Sequence, residues 1–165
     1  MVVKMEDVTD EGDVKFLTII QKHGWHVMHV RNRAGEIEPE FSYSTGIYEK
    51  FGTPELIIFG LTSELRQSMI NGYGNEIAEN LRKFYSGEFY DGFLEGFDIY
   101  LTEGNFRLKK EYACWADWYY ERQPFPLLQC IWPTTSGVWP WDSQASADVK
   151  AMQPIFGPTP QDNQE

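Results

Sequence analysis

Basic residues are scarce in this chain. Its 165 residues carry 14 Lys and Arg against 25 Asp and Glu, a formal charge of −11 at pH 7. Binding DNA or RNA needs Lys and Arg to neutralise phosphates. That charge excludes nucleic acid as an expected partner. Cysteine is scarcer still. Cys114 and Cys130 lie too far apart for a Cys-x-x-Cys redox motif and are too few for a cysteine zinc site. Two free thiols in a reducing cytoplasm are expected, with a single disulfide as the alternative. No run reaches the ~20 apolar residues that span a bilayer, and the stretch from Met1 to Asp13 lacks the apolar segment of a secretory signal. These absences predict a cytoplasmic protein that does not enter a membrane. Four motifs are also missing: the phosphate-cradling Gly-x-x-x-x-Gly-Lys, the dinucleotide fingerprint, the Gly-x-Ser-x-Gly elbow and the zinc-binding His-Glu-x-x-His. No cofactor is expected.

Apolar and aromatic residues are plentiful, at 42% and 16%. That is enough for one sizeable core, and the length suits one domain. The stretch from Phe41 to Leu61 is its natural centre. Phe41, Tyr43, Thr45 and Ile47 alternate with Ser42, Ser44 and Gly46, the period-two pattern of a half-buried strand. Leu56 to Phe59 is continuously apolar, as in a strand covered on both faces. Gly52 and Pro54 fit a turn between them.

Around this centre the pattern predicts further elements. Asp13 is placed to cap a helix carrying Val14, Leu17 and Ile20, and Gly24 suits its end. Trp25 to Asn32 reads as a strand. Thr62 opens a second helix, with Leu65, Met69, Tyr73, Ile77 and Leu81 four apart and Glu64 in its first turn. Gly72 and Gly74 predict a bend in it, or two shorter helices. Phe93 to Leu108 reads as a hairpin turning at Gly104-Asn105. Lys109 to Arg122 reads as an aromatic helix and Leu127 to Trp132 as an interior strand. The sum predicts an α+β fold: a single domain with a mostly antiparallel sheet of about five to six strands and helices packed on it. Its expected bounds are 13–142, with a flexible N-terminus at 1–12 and a flexible tail at 143–165. Docking of Ile155-Phe156 is the alternative for the tail.

Several blocks occur in one order: Phe41-Ser-Tyr-Ser-Thr-Gly-Ile, Gly52-Thr-Pro-Glu-Leu, Gly60-Leu61, Leu128-Gln-Cys-Ile-Trp-Pro and Trp139-Pro-Trp-Asp, preceded by His23-Gly24-Trp25. From His23 to Asp142 the chain resembles a bacterial domain family of unknown function, numbered 4262. The resemblance implies a shared fold and carries no activity. The family often has His where this chain has Thr53, and Asp where it has Thr134. A member lacking both tilts toward binding rather than catalysis.

His23, His26 and His29 are the only histidines. On a strand His26 and His29 face opposite ways, and His23 and His29 would lie roughly 20 Å apart. No metal site is expected. Tyr43, Thr45, Glu55 and Gln129 are polar residues within apolar strands, and buried polar groups need partners. As ligand-pocket candidates they would line one cavity, with Glu55 as a possible general base. Tying strand ends and turns together is the simpler role, and Glu55 beside a turn suits accepting backbone N–H bonds.

Two acidic groups stand out as partner-binding candidates: Glu36, Glu38 and Glu40 around Pro39, and Glu88, Asp91, Glu95 and Asp98 around the hairpin. Solvated surface is their default role. Trp139 and Trp141, with Trp132, form a rigid Trp-Pro loop that becomes a contact surface if its rings are exposed. The preferred function is a cytoplasmic, acidic protein-binding domain whose partner has a basic surface. Its most specific form is an immunity-type inhibitor that occludes a toxin's active site. The alternative is a small enzyme or ligand-binding domain using the polar strand cluster. A structural domain with no discrete site is a third reading. Composition does not fix the oligomeric state.

Overall fold

Capping chemistry sets the helix boundaries. In the computed structural model, which describes residues 1–163, helix α1 spans Glu11–His23 and is followed by strand β1 at His26–Val30 and β2 at Phe41–Thr45. A short helix α2, Ile47–Phe51, leads to β3 at Glu55–Phe59 and the long α3 at Ser63–Asn80. Strands β4 (Glu88–Leu94) and β5 (Phe97–Glu103) come next, then α4 (Cys114–Tyr119), β6 (Leu127–Ile131) and α5 (Ala147–Met152). The cap of α1 is Asp10 rather than Asp13: its carboxylate accepts from Gly12 N and Asp13 N, drawing those donors into the first turn. Thr62 caps α3 through Leu65 N, as its sequence predicts.

The strands form one open sheet in the order β1-β2-β3-β6-β5-β4. Adjacent pairs run antiparallel except β3 and β6, which are parallel. The protein is a single α+β domain. On one face, Phe16 and Leu17 of α1 and Ala116 and Tyr119 of α4 pack over Phe41, Tyr43, Ile57 and Leu127. On the other, Met69, Ile70, Tyr73 and Ile77 of α3 pack over Leu56, Ile58, Ile99 and Leu101. Each such buried apolar side chain stabilises the fold by about 1.5–3 kcal/mol. Among the described residues no helix is long and apolar enough to cross a membrane.

The structure departs from the sequence reading in several places. All five residues of β2 are buried, Ser42 and Ser44 included, because α3 covers their side of the sheet. The hairpin turns at Glu95-Gly96 rather than Gly104-Asn105, since β4 starts at Glu88. The aromatic helix divides into a π-turn at Leu108–Tyr112 and α4. Helix α3 runs through both glycines without a break. At Gly74 a Cβ would fall 2.4 Å from the Trp25 ring, so glycine there lets β1 approach α3.

Both terminal segments are docked rather than loose. Val3 N–H bonds Tyr119 O at 2.9 Å, and Val2, Val3, Met5 and Val8 pack against the core. Near the other end Gln153, Phe156 and Thr159 are buried. Gln129 donates to Pro154 O at 2.6 Å and accepts from Phe156 N at 2.9 Å. Gln153 bonds Trp132 N and O, and Thr102 donates to Pro158 O. Polar side chains of β5 and β6 satisfy this strap's backbone, which is why a segment poor in apolar residues still packs. Residues 164–165 of the expected tail lie outside the described residues.

Candidate functional site

Glu55 opens β3 and is completely buried. Gly46, at φ +115°, turns the chain from β2 into α2 and brings the first N–H groups of that helix over the carboxylate. Glu55 Oε1 accepts from Ser44 Oγ at 2.7 Å and Ile47 N at 3.2 Å. Oε2 accepts from Gly46 N at 2.8 Å, Tyr48 N at 3.2 Å and the Tyr120 hydroxyl. The carboxylate thus takes up helix-end donors that have no partner within α2. Burial pushes the Glu55 carboxyl up from its ordinary value, while the bonds from Tyr120, Ser44, Gly46 and Tyr48 pull it down. Burial, and then the neighbouring Glu55, push the Tyr120 hydroxyl up.

The other strand candidates share Glu55's face of the sheet but bond elsewhere. The Tyr43 hydroxyl accepts from Trp115 N at 2.9 Å, pinning α4 to β2. Gln129 holds the C-terminal strap. Thr45 Oγ1 is buried without a hydrogen-bond partner among the described residues. Tyr43, Glu55 and Gln129 therefore fasten separate elements, and Thr45 fastens none. Ser44 and Tyr120, which complete the Glu55 shell, escape a sequence reading. Tyr120 lies 65 positions from Glu55, and nothing in the local pattern links them.

The two acidic groups differ. In the loop between β1 and β2, Glu36 Oε2 accepts from Arg33 N and Glu40 Oε2 from Asn32 N, while Glu38 offers its carbonyl to Asn32 Nδ2. That group stabilises its own loop. On the hairpin, Glu88 accepts from the Tyr90 hydroxyl at 3.0 Å and Asp91 lies 3.9 Å from Arg82. Glu95 and Asp98 are exposed, and their side chains have no ion-pair partner among the described residues.

The Trp-Pro loop lies against this hairpin. Trp139 and Trp141 stack at 4.9 Å with planes 6° apart. Trp139 meets Phe89 at 5.4 Å, and Trp141 meets Tyr100 at 5.2 Å. Asp142 Oδ2 accepts from Trp139 N at 2.8 Å and fixes the loop. Both tryptophans are half-buried, and Phe89 is 48% exposed. Trp132 is buried instead, donating from its indole to Phe59 O at 2.8 Å. By strand alternation Asp98 shares the face of Tyr100 and Phe89. The structure thus brings Trp139 and Trp141 together with an unanticipated residue, Phe89, on the sheet face that Asp98 shares.

The histidines divide as strand parity requires. His26 packs at a tilt against Phe16 with ring centres 4.6 Å apart, whereas His29 bonds Ser42 and Gln67 on the α3 side. Burial, then the neighbouring His29, lower the His26 pKa to about 4. Among the described residues no three His, Cys, Asp or Glu side chains gather to hold a metal ion.

The six strands and the Trp-Pro loop fall within residues 19–146, which match the family model described as "Domain of unknown function (DUF4262)". The chain belongs to this family. No curated protein and no solved structure matches it. The DUF4262 span contains the whole Glu55 shell and the aromatic hairpin face, and ends before α5. Thr134 closes a turn: its N–H bonds Val138 O, and its hydroxyl accepts from Val138 N.

Proposed function

We propose that this protein is a cytoplasmic protein-binding domain that presents its β4–β5 hairpin and Trp-Pro loop to a partner with a basic surface. The observation carrying this reading is the half-exposed stack of Trp139 and Trp141 with Phe89, on a sheet face that Asp98 shares, with Glu95 at the turn of the same hairpin and neither carboxylate in an ion pair among the described residues. Rigid aromatic rings give contact area with little entropy to lose, and Trp is enriched at binding hot spots. Carboxylates around such a patch steer a basic partner and reject an acidic one. The net charge of −11 acts in the same sense at long range. In its most specific form the domain is an immunity-type inhibitor that covers the active site of a basic toxin. A catalytic role for Tyr43, Thr45, Glu55 and Gln129 has weaker support, since Tyr43, Glu55 and Gln129 each fasten a different element and do not converge on one pocket.

The test is affinity capture from the native cell on the immobilised full chain, beside an E95K/D98K variant. Both positions are exposed, so the charge reversal leaves the core intact. A single stoichiometric basic partner, released by high salt and held at least about tenfold more weakly by the variant, supports the reading. An empty capture, or a partner bound equally well by the variant, overturns it.

A further inference from the structure

Strand β1 lies at an open edge of the sheet, with α1 against one face and α3 against the other. The two helices frame a cleft of about 500 Å³ beside β1. That size is typical of small-molecule sites. Trp25, His26 and His23 stand on its strand and α1 side, and Gln67, Asn71 and Asn75 line it from α3. Spaced four apart, the three amides share one helix face. Although the chain carries 25 acidic residues, none among the described residues lines this cleft.

Hydrogen-bond polarity fixes what the cleft offers. The Trp25 indole can only donate, and it donates to Asn71 Oδ1 at 3.0 Å. Asn71 therefore keeps its NH2 group for another acceptor. A second chain starts at the buried Arg66, whose Nε donates to Ser42 Oγ at 2.7 Å. Ser42 donates on to His29 Nδ1 at 2.5 Å, and His29 Nε2 donates to Gln67 Oε1 at 2.7 Å. With His29 protonated at Nε2 this direction satisfies Ser42 and His29 and leaves the Gln67 NH2 free as well, while Arg66 Nη2 stays buried without a partner among the described residues. His26 Nδ1, buried in the cleft wall, also has no partner among the described residues.

We infer that the cleft binds a small carboxylate with an apolar tail, independently of the hairpin surface. Its two oxygens take hydrogen bonds from Gln67 Nε2 and Asn71 Nδ2, one helical turn apart. Its tail lies on the apolar ring of Trp25 and on the neighbouring Ile19 and Val27. The lack of any carboxylate in the lining removes the local repulsion that an anion meets over most of this surface. Beyond ~8 Å the remaining negative charges are screened at physiological salt.

The test is NMR titration of the ¹⁵N-labelled full chain with 4-methylpentanoate, and with 4-methylpentanamide as the neutral isostere. The side-chain NH2 signals of Gln67 and Asn71 and the Trp25 indole signal are expected to shift and saturate. The amide should bind at least about tenfold more weakly, having lost one charged acceptor. N71D and Q67E keep the acceptors for Trp25 and His29 but replace an NH2 donor with oxygen. Each should weaken carboxylate binding at least about tenfold while the unligated melting temperature shows the fold intact. Absence of saturating shifts at millimolar carboxylate overturns the proposal. So does equal binding of the amide, or unchanged affinity in both variants.

Discussion

Replacing Glu55 with Gln changes one oxygen into an NH2 group inside a shell of five donors. At the Oε2 position the new NH2 would face two backbone N–H groups, those of Gly46 and Tyr48. At the Oε1 position it would face one, that of Ile47, and the Ser44 hydroxyl can rotate to accept from it. The second arrangement costs less. It still orphans the buried Ile47 N–H, at about 1–3 kcal/mol. The bonds from Gly46, Tyr48 and Tyr120 also lose their charge assistance, adding about 1 kcal/mol. Relief from burying a charge offsets part of this. E55Q should therefore lower stability by about 2–3 kcal/mol, or roughly 4–12 °C in Tm for a domain of this size.

Glu55→Leu is the stronger perturbation. It leaves all five donors without the carboxylate, and at 1 kcal/mol or more each the loss reaches about 5 kcal/mol, the lower end of a domain's total stability. Urea unfolding followed by tryptophan fluorescence measures both variants, with an unchanged slope showing that the same transition is compared. Hydrogen exchange at Ile47, Gly46 and Tyr48 gives the local readout: these amides should exchange faster in E55Q than the rest of α2. If E55Q unfolds within about 0.5 kcal/mol of the parent, the carboxylate does not anchor α2, and the assignment of Glu55 as a framework residue fails.

Other perturbations follow from the same contacts. His26 holds a folded pKa of about 4 against an ordinary 6.5, so on acidification the unfolded chain takes up the proton first. Its contribution is complete above pH 6.5 and is lost as pH falls toward 4, by about 1–2 kcal/mol after discounting for partial exposure. His26→Phe should remove that part of the acid slope, and at pH 7 it should cost less than about 1 kcal/mol because Nδ1 has no bond to lose. Urea unfolding at pH 7 and pH 4.5 checks both. Gln153 donates to Trp132 O and accepts from Trp132 N inside the core. Gln153→Ala orphans both backbone groups and should cost about 2–4 kcal/mol. A loose C-terminal segment would instead leave the Tm unchanged.

Much of the fold was legible because the strongest signals are local. The apolar run from Leu56 to Phe59 marks a strand buried on both faces, and β3 lies between β2 and β6. Thr62 marks the start of α3 and Gly24 the end of α1, because capping depends on neighbours a few residues away. The misses have a common physical cause. Ser42 and Ser44 read as a solvent face because small polar residues in alternation usually are one. Here they are buried by partners distant in sequence: Arg66, 24 residues away, and Glu55, 11 residues away. The C-terminal strap read as loose for a related reason. Its attachment rests on bonds from its backbone to the side chains of Gln129 and Thr102 and from its own Gln153 side chain to the Trp132 backbone, and composition does not reveal backbone bonding.

The same distinction separates framework from function. Polar residues inside strands attract attention because burial without a partner is costly, yet that cost is also why folding recruits partners for them. Glu55, Tyr43 and Gln129 each found one in another element, and groups so engaged are not free to bind anything else. The donors left free lie one layer further out, on Gln67 and Asn71. Their four-residue spacing is present in the sequence but runs beside the stronger stripe of Leu65, Met69, Tyr73 and Ile77. An apolar stripe identifies the face a helix buries. The polar residues flanking it determine what the rim of that buried face can hold, and in this chain they do so only once Trp25, just before β1, and His29 within it fix the direction of their hydrogen bonds.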